Sequence, residues 1–308
     1  MQHRPLRLMT FNLLTSTKMR RSHPWQLRKR SVARIFERYQ PDVIGTQEAN
    51  LPQLLELAEL LPEYEFLGEG NLSGLEATHS PKNWYCAIFF RRDRVRPAEE
   101  ESDTYWFSPT PEVPASQFHL GTRPRLVTWQ TFEHIPDGQE FIFGTTHLEA
   151  LNRWHRHKSA GLLRAYITSK LQQKGSDTPL FLTGDFNAVD SSPEIQALAR
   201  LGANQTWRDP DDQPQFLYDA WLEAGSTDRD AGATFRGLGR MGQLNQALLG
   251  PRRIDYIFFR PQLEVVRVEK IDFDRFTNRR GSLPSDHFPV LADIRLEQAV
   301  LDEVVARN

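Results

Sequence analysis

Apolar residues recur along the chain at two spacings, and each spacing predicts a different kind of element. The spacing of three or four residues, which places side chains on one face of a helix, occurs in three segments. In the first, between Trp25 and Tyr39, the apolar face carries Val32, Ile35 and Phe36. The other two predicted helices carry Leu51, Leu54, Leu55, Ala58 and Leu61, ended by Pro62, and Ala160, Leu163, Ile167 and Leu171.

Short apolar and β-branched runs between these helices predict strands. Three consecutive runs in the middle of the chain have no helix between them, which favours antiparallel pairing. The predicted strands are Leu6 to Phe11, Asp42 to Gln47, Cys86 to Phe90, Leu126 to Phe132, Phe141 to Thr146, Leu180 to Thr183, Ile254 to Phe259, Leu263 to Val268 and Pro289 to Leu296. Two long, weakly periodic segments, Glu99 to Gly121 and Asp209 to Gly250, are expected to be functional loops or disordered.

This order of elements predicts one α/β domain over residues 1–308. We expect a four-layer α/β sandwich, in which two packed mixed sheets, mostly antiparallel, are flanked by helices. No internal repeat or low-complexity linker divides the chain. Met9-Thr10-Phe11-Asn12 and Thr183-Gly184-Asp185-Phe186-Asn187 both end a strand in Phe-Asn, which indicates either two similar sheet halves or a coincidence.

Composition and charge exclude several classes of protein. The 38 Lys and Arg residues nearly balance 40 Asp and Glu residues, so a histone-like protein that binds through bulk charge is excluded, whereas a local basic cleft is not. One cysteine, Cys86, cannot form an internal disulfide or a multi-cysteine metal site, and is expected to be a buried thiol. Since no apolar signal segment or spanning helix is visible, we expect a cytoplasmic protein without a membrane partner.

Candidate chemistry appears where the predicted strands end. Strand after strand ends in an acid, an amide or a histidine: Asn12, Glu48, His147, Asp185 with Asn187, Asp255, and Asp286 with His287. Burial of such groups costs several kcal/mol each unless they are paired or bind metal, so we expect them to converge on one site. Carboxylate and amide oxygens without thiolates suit Mg²⁺ or Mn²⁺, and the two histidines suit proton transfer.

Several of these residues alone also have an ordinary structural interpretation. Glu48 fits a solvated loop acid, Asn12 a turn residue, and His147 a satisfied core histidine. Asp255 is harder to explain this way, because an acid within a buried strand needs a partner. The adjacent pair Asp286 and His287, placed just before a strand, is the hardest to explain by packing.

In this order the motifs resemble the endonuclease/exonuclease/phosphatase superfamily of metal-dependent phosphoesterases. The resemblance extends from Arg7 to about Arg295. It rests on Thr10-Phe11-Asn12, Gln47-Glu48, Thr146-His147-Leu148, Gly184-Asp185-Phe186-Asn187, Arg253-Ile254-Asp255-Tyr256-Ile257-Phe258 and Ser285-Asp286-His287. The segment from Thr110 to Trp129 looks like a bacterial branch with few assigned substrates. Members of the superfamily cleave DNA, RNA, phosphoinositides, sphingomyelin and nucleotide phosphates, so the resemblance leaves the substrate open.

The resemblance implies in-line attack of water on phosphorus and assigns roles to the strand-end residues. Glu48, Asn12 and Asp286 would hold Mg²⁺ or Mn²⁺, with one or two ions left open. Asp185 and Asn187 would position the water, His147 would donate to a phosphoryl oxygen, and His287 would be oriented by Asp255. Either Asp185 or His287 would be the base.

One departure from the family pattern concerns His147. Many members place a glutamate that orients this histidine just before the strand equivalent to Cys86 to Phe90, where this chain has Asn83-Trp84-Tyr85. The orienting group is therefore expected to be Asn83, Glu149 or a backbone carbonyl.

Two basic clusters follow site residues, and we expect both to line the rim of the site and bind substrate. One consists of Lys18, Arg20, Arg21, Trp25 and Arg28, and the other of Arg153, His155, Arg156, His157 and Lys158. Solvated surface charge is the alternative for each, while Arg125 is the best single candidate for a phosphate clamp. The partner is thus a phosphate-bearing substrate, nucleic acid or nucleotide being favoured, and oligomeric state is not predicted.

The favoured activity is that of a phosphodiesterase or nuclease. The alternatives are a phosphomonoesterase that acts on a small phosphorylated metabolite and, least favoured, a catalytically inactive binding protein.

Overall fold

A computed structural model describes residues 4–16, 23–75, 80–100, 102–119, 122–199, 217–226, 232–237, 250, 252–273, 275–278 and 281–296. Its strands and helices follow one another along the chain in a mixed order. They are β1 (Leu6–Asn12), α1 (Trp25–Tyr39), β2 (Val43–Gln47), α2 (Leu51–Leu60), β3 (Tyr64–Gly70), β4 (Tyr85–Arg91), β5 (Val95–Pro97), β6 (Asp103–Trp106), β7 (Leu126–His134), β8 (Gln139–His147), α3 (Arg153–Lys174), β9 (Leu180–Asp185), α4 (Pro193–Leu198), β10 (Tyr218–Asp219), α5 (Ala220–Glu223), β11 (Asp255–Arg260), β12 (Val265–Lys270) and β13 (Val290–Ile294).

The strands form two mixed sheets that pack face to face. The first sheet has the order β12-β13-β1-β2-β4-β3, and the second has the order β10-β11-β9-β8-β7-β5, with β6 also paired to β7. Helices α1 and α2 cover the outer face of the first sheet, and α3 and α4 cover that of the second. The predicted four-layer α/β sandwich is therefore confirmed.

The two sheets share one arrangement of central strands. In the first, β1 lies between antiparallel β13 and parallel β2, and β4 follows antiparallel to β2. In the second, β9 lies between antiparallel β11 and parallel β8, and β7 follows antiparallel to β8. The two Phe-Asn sequences therefore end the corresponding strands of two similar sheet halves.

The predicted antiparallel pairing is correct for β7 with β8. Strand β4, predicted to belong with them, instead pairs with β2 and β3 in the first sheet. A local apolar run predicts a strand but carries little information about its partner, which register and packing decide. Strand β3 was missed because its sequence, Tyr-Glu-Phe-Leu-Gly-Glu-Gly, is half polar or glycine.

The two long segments expected to be loops differ in how much of them the structure describes. Within Glu99 to Gly121 the structure adds β6, which lies against α3 through an ion pair between Asp103 and Lys170 and through stacked rings of Tyr105 and Tyr166. Of Asp209 to Gly250, residues 217–226, 232–237 and 250 are described, and they include β10 and α5.

Alternation along the central strands places one apolar and one polar region on the inner faces of the sheets. Leu6 and Leu8 of β1 pack between the sheets with Phe181 of β9 and Ile257 of β11, while Met9 faces the helices. Because side chains alternate between faces, the remaining inner positions, toward the other end of the sheets, belong to Thr10 and Asn12, Thr183 and Asp185, and Asp255. One end of the sandwich is thus apolar inside, and the other end carries the predicted site.

Two further expectations concern Cys86 and membrane-spanning helices. Cys86 is buried, as predicted, and burial raises the pKa of its thiol to about 12. Among the helices in the described part of the chain, none combines the length and the apolar character that crossing a membrane requires.

Candidate active site

Strand register and sheet packing bring the predicted residues together at the polar end of the sandwich. Asp255 of β11 lies directly opposite Asp185 of β9, and His147 of the neighbouring β8 lies beside Asp185 on the other side. From the facing sheet, the amide Nδ2 of Asn12 donates to Asp185 Oδ2 at 3.0 Å. All four side chains are buried, so this junction of the two sheets is a dense polar cluster.

Asp185 is the centre of the cluster. Its Oδ2 lies 3.5 Å from His147 Nε2 and 3.6 Å from His287 Nε2, and its Oδ1 accepts a hydrogen bond from the Asn187 N–H at 2.9 Å. Burial raises the pKa of Asp185 to about 7; the positive charge of His287 opposes the shift and the negative charge of Asp255 adds to it. A carboxylate held between two imidazoles is well placed to exchange a proton.

His287 is paired with Asp255. Its Nδ1 lies 2.9 Å and 3.2 Å from the two oxygens of that carboxylate, and the ring of Phe235 packs at 4.9 Å. Burial opposes the charged form of His287, but Asp255 and Asp185 outweigh it and raise its pKa well above the usual value. The pair therefore favours an imidazolium with Nε2 directed toward the site centre.

Glu48 occupies a strained position at the end of β2. Its φ is 66°, a conformation that non-glycine residues seldom adopt and that is most often found at functional sites. Its oxygens accept long hydrogen bonds from Asn12 Nδ2 at 3.3 Å and from the Thr15 N–H at 3.2 Å. No lysine or arginine in the described part of the chain forms an ion pair with this half-buried carboxylate.

The donor set around Glu48 fits a hard divalent cation. Ser285 Oγ donates to the backbone carbonyl of Asn12 at 2.6 Å, which ties the segment before Asp286 to the end of β1. The proposed ligands Glu48 and Asp286 carry carboxylate oxygens, and Asn12 an amide oxygen that accepts from the Leu14 N–H at 3.0 Å; Mg²⁺ and Mn²⁺ prefer oxygen ligands of these kinds. A second group of ligand atoms, from Asp185, Asp255 and His287, also lies within 4.8 Å of one another.

His147 has a ring partner that the sequence did not indicate. The imidazole lies parallel to the indole of Trp84, with an interplanar angle of 4° and ring centroids 6.1 Å apart. Of the groups expected to orient it, Asn83 accepts a hydrogen bond from the Leu72 N–H at 2.8 Å, and Glu149 pairs with Arg125 at 3.1 Å. Burial, reinforced by nearby cations, lowers the pKa of His147 well below its usual value and favours the neutral ring.

Gly184 and Asn187 shape the loop that carries Asp185. Gly184 has φ 154°, and a Cβ at this position would lie 2.2 Å from the Thr146 carbonyl oxygen. Asn187, with φ 49°, donates from Nδ2 to the Leu148 carbonyl at 3.0 Å. These contacts tie the ends of β8 and β9 together and fix the aspartate between the histidines.

Arg28 was expected at the rim, but it is fully buried beneath the site. Its guanidinium donates to the Leu13, Leu14 and Pro284 carbonyls at 2.8, 2.7 and 2.6 Å, while its Nε donates to the His23 carbonyl at 2.9 Å. It therefore connects the loop after Asn12 with the loop before Asp286. The sequence indicated this burial, since Arg28 precedes Val32 by four residues and shares the apolar face of α1.

The other predicted substrate-binding cations differ in position. Lys18, Arg20 and Arg21 lie outside the described residues. Arg153 is largely exposed, with its Nε 3.9 Å from Glu194, whereas Arg156 donates to the carbonyls of residues 149 and 150 at 2.9 and 3.0 Å. Arg125 lies beside His147 and uses Nε to bind Glu149. Arg156 is thus engaged in holding its own loop.

Comparison with known sequences gives a match to one family model and to several distant relatives. The sequence model of the Endonuclease/Exonuclease/phosphatase family matches residues 9–287. Nocturnin of Mus musculus is 24% identical over 248 residues, 71% of this chain and 52% of the relative. Nocturnin of Drosophila melanogaster is 26% identical over 307 residues, 88% of this chain and 42% of the relative. The chain spans about half the length of these curated relatives.

Comparison with solved structures gives matches over nearly whole chains. A mannosyl-6-phosphatase of Bacteroides thetaiotaomicron is 26% identical with a TM-score of 0.73, over 94% of this chain and 99% of that one. A family member from Bacteroides vulgatus is 25% identical with a TM-score of 0.74, over 96% and 100%. The D. rerio TDP2 complexed with single-strand DNA product, 18% identical with a TM-score of 0.63 over 94% and 98%, shares the fold.

Proposed function

The chain belongs to the endonuclease/exonuclease/phosphatase family, and we propose that it is a divalent-metal-dependent hydrolase of phosphoesters. The observation that carries this proposal is the meeting of Asp185 with His147, His287 and Asn12, next to the carboxylate of Glu48, with which no described lysine or arginine forms an ion pair. Two carboxylates at 3–4 Å from imidazole and amide donors are costly to bury for stability alone. Such an arrangement suits the positioning of water, phosphoryl oxygens and a cation.

Asp185 and Asn187 are assigned to the attacking water. Asp185 accepts hydrogen bonds from Asn12 and from the Asn187 N–H, so its carboxylate is fixed as an acceptor in the centre of the site. Asp185 is the proposed base, because the pairing of His287 Nδ1 with Asp255 stabilises the protonated imidazole, which cannot take a second proton. The alternative base is a neutral His287, acting through Nε2.

His147, His287 and the metal ligands are assigned to the phosphoryl group. The imidazolium of His287 would stabilise the negative charge of the pentavalent transition state, and His147 would donate to a non-bridging oxygen. Glu48, Asn12 and Asp286 would hold the cation. A bound Mg²⁺ or Mn²⁺ neutralises charge that develops on phosphoryl or leaving-group oxygens.

The test is hydrolysis of bis(p-nitrophenyl) phosphate and p-nitrophenyl phosphate by the purified chain. With Mg²⁺ or Mn²⁺ we expect release of nitrophenolate, which EDTA abolishes and readded metal restores. Asp185→Asn should lower kcat by about 10²-fold or more, since removal of a positioned acid or base costs that much. Full activity in EDTA, or no activity on either compound and on a wider phosphoester panel, would contradict the proposal.

For the substrate we favour a nucleotide or nucleic-acid phosphodiester. Support comes from the beginning of α3, where the exposed Arg153 adjoins Trp154, itself 49% exposed, and the Lys158 ammonium lies 5.6 Å from the Trp154 ring centroid. Exposed aromatic rings beside cations suit stacked bases and phosphates. The second candidate is a small phosphomonoester, which the similarity to the mannosyl-6-phosphatase favours.

Salt dependence separates the two candidates. For an oligonucleotide substrate, each contact of a cation with a phosphate adds about 0.7–0.9 to the slope of log affinity against log salt. Arg153→Ala should then raise KM for oligonucleotides and flatten that slope, whereas the matched control Arg96→Ala, at an exposed position paired with Glu133, should not. Absence of oligonucleotide hydrolysis, with turnover of a sugar phosphate, would select the phosphomonoesterase.

A further inference from the structure

A pocket opens beside His147, on the side of the ring that faces Trp84. It is lined by Trp84, Arg123, Arg125 and His147, with Cys86 and Leu126 among the apolar residues of its wall. The enclosed part has room for about one water molecule, and about 220 Å³ is empty when the open mouth is counted, so a phosphate group would bind at the mouth. The mechanism described above uses none of these groups except His147.

Arg123 carries the first positive charge of this pocket. The carbon at the centre of its guanidinium lies 3.7 Å from the centroid of the Trp84 ring, so the two planes hold each other in place. One nitrogen donates to the Lys82 carbonyl at 2.7 Å, and its remaining N–H groups meet no acceptor among the described residues. The guanidinium is thus oriented but not neutralised.

Arg125 carries the second positive charge of the pocket. It binds Glu149 through Nε, and its two terminal nitrogens have no acceptor in the described ranges. Burial and the positive charge of Arg125 lower the pKa of Arg123, although the carboxylates of Glu48 and Glu149 oppose this shift. A group with two negative charges would relieve the repulsion between the two guanidiniums and match both planar forks.

Trp84 supplies an independent indication that the pocket takes a ligand. Its indole Nε1 is buried, and no acceptor for this N–H exists among the residues that the structure describes. A buried donor without a partner is costly, and native proteins rarely retain one unless water or a ligand accepts from it. The indole lines the pocket, so an oxygen of a bound group is the candidate acceptor for this N–H.

We propose that the pocket of Trp84, Arg123 and Arg125 binds a second phosphate of the substrate, beside the phosphoryl group that is hydrolysed. This inference rests on the proposed function and narrows its substrate to phosphoesters that carry another phosphate. Such substrates include sugar bisphosphates and nucleotides with phosphates at two positions. The pocket adjoins His147, so one molecule can present one phosphate to each place.

The test compares matched substrates that differ by one phosphate: glucose 1,6-bisphosphate with glucose 6-phosphate, and adenosine 3′,5′-bisphosphate with adenosine 5′-monophosphate. The measured quantity is the ratio of kcat/KM for the bisphosphate to that for the monophosphate. Wild type should prefer at least one bisphosphate by tenfold or more. Arg123→Gln should lower that ratio at least tenfold through KM, and Trp84→Phe, which retains the stacking ring but removes the N–H, about threefold.

Arg96→Gln is the matched control, since this arginine is 65% exposed and pairs with Glu133 at the far edge of the second sheet. It should leave the ratio unchanged. In a second readout, inorganic phosphate is titrated into the EDTA-treated protein by calorimetry. Binding at least tenfold weaker in Arg123→Gln than in wild type is expected, and this measurement does not depend on catalysis.

The outcomes separate the two proposals. If the chain hydrolyses phosphoesters but Arg123→Gln leaves the ratio unchanged, or lowers both rates equally, the second phosphate site is refuted and the proposed function stands. If no phosphoester is hydrolysed, the proposed function fails, and the phosphate titration alone decides the pocket. Equal phosphate affinity of wild type and Arg123→Gln would overturn the pocket assignment.

Discussion

Replacement of Arg28 tests whether the site depends on a cation that never meets the substrate. The guanidinium joins the carbonyls of Leu13 and Leu14, just after Asn12, to the carbonyl of Pro284, just before Asp286. These two loops hold proposed metal ligands and come from opposite ends of the chain. Arg28→Met retains the length and apolar stem of the side chain and removes every donor.

The expected cost follows from the hydrogen bonds. Four carbonyl oxygens accept from Arg28 at 2.6–2.9 Å, and each bond to a charged donor contributes about 1.5–3 kcal/mol. Because hydrogen bonds within one network are not additive and the loops can relax around the smaller side chain, we expect Arg28→Met to lower the free energy of unfolding by about 3–5 kcal/mol, less than the sum. Arg28→Lys, whose single ammonium cannot span both loops, should cost about 2 kcal/mol.

The assay is urea unfolding followed by circular dichroism, together with the Mg²⁺ dependence of phosphoester hydrolysis. The matched control is Lys29→Met, the next residue of α1, whose ammonium pairs with Glu56 near the surface. That substitution should cost less than about 1 kcal/mol. If Arg28 positions the metal loops, Arg28→Lys should remain folded yet need more Mg²⁺ for half-maximal rate, while Lys29→Met should not.

Two results would refute this reasoning. A loss below about 1 kcal/mol for Arg28→Met would mean that water replaces the guanidinium without cost. An Arg28→Lys protein with unchanged Mg²⁺ dependence would mean that the two loops hold their positions without the bridge, and that Arg28 acts on stability alone.

Three further substitutions probe the metal, the paired histidine and the loop that carries Asp185. Glu48→Gln should retain the melting temperature within a few degrees but lose most Mg²⁺-dependent hydrolysis, and a rate unaffected at any Mg²⁺ concentration would exclude a metal role. Asp255→Asn and His287→Ala should each lower kcat by about 10²–10⁴-fold, and the double variant should be little worse than the poorer single one; losses that multiply would show independent action. Gly184→Ala should cost at least about 2 kcal/mol in urea unfolding, because its Cβ would meet a backbone carbonyl at 2.2 Å, whereas Gly161→Ala, whose Cβ would meet nothing within 4 Å, should be neutral or stabilising.

The sequence alone determined which residues belong to the polar end of the sandwich. The apolar runs of β1, β9 and β11 carry Asn12, Asp185 and Asp255 at their ends. Buried polar groups need partners, so these strand-end residues were expected to converge on one site. The helix over Trp25–Tyr39 followed from its spacing, and its bounds are confirmed.

Only the tertiary structure decided which of these side chains touch. Asp185 meets Asp255 and His147 because β9 lies between β11 and β8 in one register, and it meets Asn12 because the facing sheet packs closely. The same local signals misplaced β4, which belongs to the other sheet. Strand propensity is a local property, whereas partner and register depend on the whole pattern of burial.

Arg28 and Arg123 show most clearly why the role of an arginine depends on the tertiary structure. From the sequence, Arg28 was expected at the rim of the site, and nothing distinguished Arg123 from other arginines. The fold buries Arg28 against carbonyls up to 256 residues away and orients Arg123 on an indole, with no carboxylate of the described residues forming an ion pair with it. Whether an arginine is a structural bridge or a binding group is decided by the acceptors around it, and those acceptors come from distant segments that only folding brings together.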